Sequence, residues 1–313
     1  MNLYSYIFRR LLYIIPVLLG VCLIIFILFN LVAPDPAYTL LGKHATPKQI
    51  VELHHELGMD KPYFMQYLDT VKTAFTFNFG YSWSSKQNIW EMIKQGAGPS
   101  LAITGPLFII SNLVAISLAL LVAFYRGKFI DKFILILSIA GMSIPSLAVV
   151  LFGQWFFGYK LGWFEISGYE HGFPDFIPYV ILPIILYVCI SFGGDTRFYR
   201  TVILDEVYQD YVRTARSKGL SEIKVMFKHV LKNSMIPILT QIIIQIPTLI
   251  LGLLFAESFF SIPGLGALTI NAINNSDFPV IKAMTILSAI GFIVFNVITD
   301  VLYTVVDPRM KLK

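Results

Sequence analysis

Charge is what this sequence has least of. Asp, Glu, Lys and Arg make up 14% of its 313 residues, against 56% hydrophobic residues. That is too little to cover the surface of a water-soluble globule, and the charges fall in clumps. Cysteine is limited to Cys22 and Cys189. Both lie in apolar runs, which excludes a disulfide scaffold and reads them as small buried apolar residues. No phosphate-cradling glycine loop is present. Gly42-Lys43-His44 lacks the upstream glycine and the following helix, so ATP binding by that route is excluded. His44, His54 and His55 lie near one another, but His54 and His55 are helical neighbours that point apart. With no cysteine or spaced carboxylate to complete a site, no metal is expected. His171 and His229 are isolated, and no nucleophile–base set is visible, so no catalytic residue is expected. The net charge of +5 lacks the basic, aromatic-interleaved face of a nucleic-acid binder.

What the sequence has instead is long apolar runs. A bilayer crossing takes ~20 residues, and about six runs qualify: 11–32, 101–124, 133–157, 177–193, 236–256 and 280–306. The fourth is short and carries Pro178 and Pro183. The first is too long, and lacks a small-residue cleavage site, for a removable leader, so it is expected to remain as an anchor. Cations mark one side. Arg9 and Arg10, then Arg126, Lys128 and Lys132, eight cations from Arg197 to Lys232, and finally Arg309, Lys311 and Lys313 all fall on the same face if six spans are right. Both termini and the basic loop are therefore expected on the cytoplasmic side of the membrane. The organisation reads as an anchor helix (1–32), an external helical loop (33–100), a five-helix core (101–306) with a cytoplasmic loop at 195–235, and a cytoplasmic tail (307–313).

Ionisable residues inside the spans are nearly missing, which argues against an ion-coupled carrier. Asp300 sits within the last span, one turn from Asn296, and suits a bond to a neighbouring helix. The segment Asp195-Thr196-Arg197, with Arg200, closes the fourth span on the inner side and could pair through its arginines with acids of the basic loop. Gln154, Gln241 and Gln245, with Ser111 and Asn112, could line a pathway or bond between helices. Prolines 106, 145, 183, 237 and 247 interrupt or begin spans.

In the external loop, Thr46-Pro47-Lys48-Gln49 has an N-cap, a proline at the first helical position and a capping-box glutamine. That helix should stop near Gly58, a second should follow over 63–74, and a short third over 84–95. After the fifth span, Glu257 precedes a Pro263-Gly264-Leu265-Gly266 turn, read as a tight external re-entry that favours positive φ.

The segment from Tyr208 to Pro237 is basic and soluble in character, between two spans. Val207, Tyr208, Tyr211, Val212 and Ala215 keep helical spacing, Arg216 and Lys218 load the last turn, and Gly219 stands at the C-terminal cap. Ser221 can cap a second helix in which Leu220, Ile223, Met226, Phe227, Val230 and Leu231 again keep helical spacing. Such a turn suits docking.

Tyr211-Val-Arg-Thr-Ala-Arg-Ser-Lys-Gly219, His229-Val-Leu-Lys-Asn233 and Ile236-Pro237 resemble the "EAA" loop of ABC-importer permeases, in its dipeptide/oligopeptide version. Ala215 and Gly219 match that motif's second alanine and glycine, whereas Arg213 replaces its glutamate. Further matches are Leu57–Pro62, Gln66-Tyr67, Phe79–Ser82, Glu257–Gly266, Asp277-Phe278-Pro279, Asn296, Asp300 and Asp307-Pro308-Arg309, with Asn78 in place of an aspartate. The resemblance implies an all-α type I importer permease without catalysis of its own. It implies partners too: a second homologous permease, two P-loop ATPases holding ATP and Mg, and an external substrate-binding protein. Tyr211, Arg213, Ala215, Arg216, Lys218, Gly219, Leu220, Ile223, Met226, His229 and Asn233 would form the ATPase-coupling loop. Glu257, Pro263, Gly264 and Gly266 would lie on the binding-protein side. Peptides are the expected cargo. Nickel chelates, glutathione and antimicrobial peptides are the alternatives within the family, and a stand-alone carrier is the alternative outside it.

Overall fold

The computed structural model describes residues 3–42, 45–246, 249 and 252–306. Lys43, His44, Pro247, the Asp307-Pro308-Arg309 motif and the basic tail lie outside the described residues, as do the side chains of Arg9, Arg10 and Asp300. Helices carry the described fold, joined by one isolated antiparallel bridge between Tyr81 and Asn88.

Among the described residues, four helices are long and apolar enough to cross a bilayer. The first, α1 (Leu3–Ile27), continues through a π-wound turn, Leu28–Val32, and is apolar from Leu12 to Val32. External helices α2 (Pro36–Leu41), α3 (Pro47–Glu56) and α4 (Tyr63–Thr76) follow. The capping box of α3 forms as expected: Gln49 N–H donates to Thr46 Oγ1, and Gln49 Oε1 accepts from Thr46 N–H at 2.9 Å. His54 contacts Asp35 at 2.9 Å and His55 contacts Asp60 at 2.8 Å, so each histidine has its own carboxylate.

The next helix departs from expectation. α5 (Ile89–Phe124) is a single 36-residue helix, capped by Asn88 Oδ1, which accepts from Trp90 N–H at 3.0 Å. The expected short helix over 84–95 is its first turns, and the expected boundary at residue 100 falls inside it. The expected third span is two helices, α6 (Phe129–Ser143) and α7 (Ser146–Gly153), the latter winding on through Gln154–Lys160. They bend by 95° at Ile144-Pro145. Proline removes a backbone donor and disfavours a helical residue before it. By contrast Pro106, Pro183 and Pro237 sit inside continuous helices.

The fourth run is not short. α8 (Ile177–Val207) spans 31 residues, carrying Asp195, Arg197 and Arg200 on the same helix as the apolar part. Then come α9 (Asp210–Ser217), α10 (Glu222–Val225) with a π-wound extension over Met226–Leu231, and α11 (Lys232–Gln245). The expected fifth run, 236–256, is therefore not one helix: α11 ends at Gln245 and α12 (Leu254–Phe259) begins beyond Gly252, whose φ is +67°. A short apolar helix α13 (Leu265–Asn274) and the long α14 (Phe278–Val306) complete the chain.

α5 and α8 form the central pair, α6 packs on α8, and α1 packs on α14 and α4. Among the described residues, three buried apolar clusters follow. One joins α1, α4, the start of α5 and α14; one joins α5, α7, α8 and α12 around Ile103, Leu182 and Phe260. The third joins the far ends of α5 and α8 to α9, α10 and α11.

Candidate docking and pathway sites

The expected coupling loop is a helical turn fixed from beneath. Val212, Ala215, Val225, Met226 and Val230 are buried against Ala115, Ala119, Ala123, Tyr199 and Ile203. α9 ends as the sequence indicates. Gly219 has φ +76°, its N–H donates to Arg216 O at 2.9 Å, and Leu220 N–H reaches Ala215 O at 3.4 Å, the Schellman pairing. Arg216 then bridges the turn, donating from Nε to Glu222 Oε1 at 2.8 Å and from Nη2 to Oε2 at 3.3 Å. Ser221 occupies the N-cap position of α10, but its side chain makes no capping bond. Tyr211 is half-buried and donates to Glu206; burial first, then that bond, pushes its phenol up to about 12. Asn233 Nδ2 donates to His229 O at 3.1 Å, while His229 Nε2 is buried with no hydrogen-bond partner among the described residues.

The apolar spacing read in the sequence divides in the structure. Met226 and Val230 face inward, whereas Ile223 and Phe227, one turn apart, are 64% and 60% exposed, with Leu220 at their edge. Arg213, Lys218, Lys224 and Lys228 are exposed around them, and the three lysines have no acidic partner among the described residues. Of the eleven residues expected in the loop, Ala215 and Met226 are thus its foundation. Leu220, Ile223, Arg213 and Lys218 are its surface. The arrangement is an apolar centre with a basic rim, the form of a protein-docking patch.

The external turn is built the other way. Glu257 is fully buried. Its Oε1 accepts from Ser100 Oγ at 2.8 Å and Leu253 N–H at 2.9 Å, and its Oε2 accepts from Gly266 N–H at 2.7 Å and Ala267 N–H at 3.2 Å. Ser100 Oγ in turn accepts from Leu265 N–H at 2.7 Å. A Cβ on Gly264 would collide with this carboxylate and lie 2.5 Å from Ser100 Oγ, and one on Gly266 would lie 2.8 Å from Leu254 N. The glycines are needed here for space. Positive φ falls instead on Ser261, at 54°. Of the four residues expected on the binding-protein side, Pro263 alone is exposed; Glu257, Gly264 and Gly266 are interior.

The three expected pathway glutamines do not gather. Gln154 is a staple: its Nε2 donates to Ile166 O and Phe259 O, both at 3.0 Å. Gln241 is half-buried on α11. Gln245 and Asn112 bond between helices, the other reading the sequence left open, within a polar chain whose ends, Tyr199 and Asp195, sequence reasoning did not join to it. Tyr199 Oη donates to Asn112 Oδ1 at 2.6 Å, Asn112 Nδ2 to Gln245 Oε1 at 3.3 Å, and Gln245 Nε2 to Asp195 Oδ1 at 3.0 Å. Arg200 does not reach the basic loop's acids. It grips Asp131 of α6 with two bonds of 3.0 Å. Two further contacts join distant sequence blocks: Ser82 donates to Asp277 at 2.5 Å, and Asn30 connects Gln66 and Lys282, each at 2.8 Å.

Comparison with known proteins gives the same sense along the whole chain. Residues 115–312 match the family of binding-protein-dependent transport system inner membrane components, and residues 3–104 match the N-terminal part of that system's membrane component. The dipeptide transport system permease protein DppB of Alkalihalophilus pseudofirmus is 31% identical, covering 98% of this chain and 99% of its own. The di/tripeptide permease DppB of Pseudomonas aeruginosa is 32% identical, covering 98% of both chains. The glutathione transport system permease protein GsiC of Salmonella typhimurium is 32% identical, covering 99% of both.

Proposed function

The chain belongs to the binding-protein-dependent transport system inner membrane components, and from that premise we propose that its cargo is peptide and that Tyr208–Leu231 seats an ATPase. As a member of the family it is a multi-pass permease subunit of an ATP-driven importer, working with a substrate-binding protein and ATPase subunits rather than as an enzyme. The finer arrangement is our reading. A second, homologous permease completes the pathway. ATP and Mg are held by two P-loop ATPases, and this chain binds no cofactor. Both termini and the α9–α10 turn face the cytoplasm, as the clumped cations favour.

One observation carries the coupling assignment: Ile223 and Phe227 are exposed on a turn whose other face is buried among α5 and α8. A force applied at this patch passes through Val212, Val225 and Val230 into the two central helices. ATPase closure would thereby tilt α5 and α8 together and open the pathway outward to receive cargo.

Peptide is favoured because the relatives named for dipeptides and di/tripeptides match over nearly the whole chain. Glutathione is the second reading, on the equally long match to a glutathione permease. Uptake into proteoliposomes holding the complex purified from native membranes separates them. ATP-dependent accumulation of labelled dialanine, little reduced by excess glutathione, supports the peptide reading. Accumulation of glutathione without dialanine would replace it.

A further inference from the structure

Between α5, α8 and α11 lies a cavity of about 420 Å³, within the ~300–1,000 Å³ usual for small-molecule sites. Its walls are mainly apolar, with Leu107, Phe108 and Ile190 among them, and Ser111 and Ser191 add hydroxyls. Among the described residues that line it, Asp195 supplies the one carboxylate and none is a cation. The nearest guanidiniums on α8 are turned to α6: Arg200 holds Asp131, and Arg197 Nη1 lies 3.9 Å from Met142 Sδ. Among the described residues Asp195 receives one hydrogen bond, from Gln245. A carboxylate can accept about four, and Glu257 in the same chain accepts that many.

A charge left so underpaired inside a membrane protein is expensive. Such residues face a watered cavity and mark the route of a substrate or ion. Among the described residues, most of Asp195's accepting capacity is left for whatever enters from the cavity, and no positively charged nitrogen supplies its complement there.

We propose that Asp195 is a specificity-determining contact on the transport route, a cation-selective station that receives the ammonium group of passing cargo. That the ammonium is a peptide's α-amino group rests on the peptide reading above.

The test is the charge preference of the cavity. Cys22 and Cys189 are replaced by alanine and Ser191, one turn from Asp195, by cysteine, in the full complex in native membranes. Labelling of S191C by a trimethylammonium methanethiosulfonate is compared with labelling by the sulfonate analogue. The cationic reagent should react at least about tenfold faster, relative to their rates with a free thiol, the factor that ~1.4 kcal/mol gives. The preference should vanish with Asp195→Asn and persist with Asp195→Glu, which shows that loss follows charge rather than misfolding. Equal normalised rates with Asp195 present, a preference that survives Asp195→Asn, or no labelling by either reagent would overturn the proposal. Failure of the peptide reading leaves a different signature: the charge preference stands while dialanine is not taken up.

Discussion

At Gly219 a glycine with φ +76° stops a helix with open space around its Cα, whereas at Gly264 a glycine in an extended conformation is needed because Glu257 and Ser100 occupy the place of a side chain. The α9–α10 turn spends its glycine on direction, which leaves Leu220, Ile223 and Phe227 standing outward. The Glu257 turn spends its glycines on proximity, closing backbone amides around a buried carboxylate. The first presents a surface and the second locks α5, α12 and α13 together. A glycine-punctuated motif in a sequence therefore does not say which of these it is until burial is known.

The largest break in this comparison should come from Glu257→Ala. It strands the Ser100 hydroxyl and the N–H groups of Leu253, Gly266 and Ala267, at about 1–3 kcal/mol per stranded group. We expect a strong loss of folded chain, seen as a lower melting point by size-exclusion of heated, detergent-solubilised protein. A melting point equal to the parent's would contradict the lock.

Exchanging glycine for alanine in both turns sharpens the contrast. Gly264→Ala forces a Cβ into the Glu257–Ser100 pair and should cost ~1–3 kcal/mol by overpacking. Gly219→Ala meets no atom within 4 Å and should cost only the ~1–2 kcal/mol of left-handed backbone. Gly219→Asn, which tolerates that conformation, should recover part of it, whereas Gly264→Asn should be worse than alanine. Equal melting points for the two asparagine variants would erase the distinction.

The smallest effect is expected at the Arg216–Glu222 bridge. Both side chains are partly exposed, so Glu222→Gln should cost under ~1 kcal/mol and shrink further in salt. A large destabilisation would mean that the bridge, rather than the Schellman cap and the buried valines, holds the turn.

Some of this was legible from the residues. The capping box at Thr46–Gln49, the stop at Gly219 and the paired helices around it follow from local rules that act within four or five residues. The ends of the long helices did not. Hydropathy falls after Gly193 and the apolar count begins only at Leu101, but backbone hydrogen bonding continues α8 to Val207 and starts α5 at Ile89. Cutting α8 at Gly193 hid Asp195, placing it in a loop when it lies in a helix beside a cavity. Continued helical spacing through Tyr199 and Ile203, both buried, is the signal that would have found it. The burial of Glu257 was not legible for another reason: its four donors come from residues 100, 253, 266 and 267, a convergence that spacing does not reveal.

The measurement that bears most directly on the proposed docking surface is recovery of ATPase subunits with the tagged chain carrying Ile223→Asp and Phe227→Asp together. Both side chains are exposed, so the double variant should melt with the parent and still bring down the second permease, while ATPase recovery falls by about tenfold or more, as for loss of central hot-spot residues. Full ATPase recovery with both aspartates in place would contradict the assignment of this turn as the coupling site.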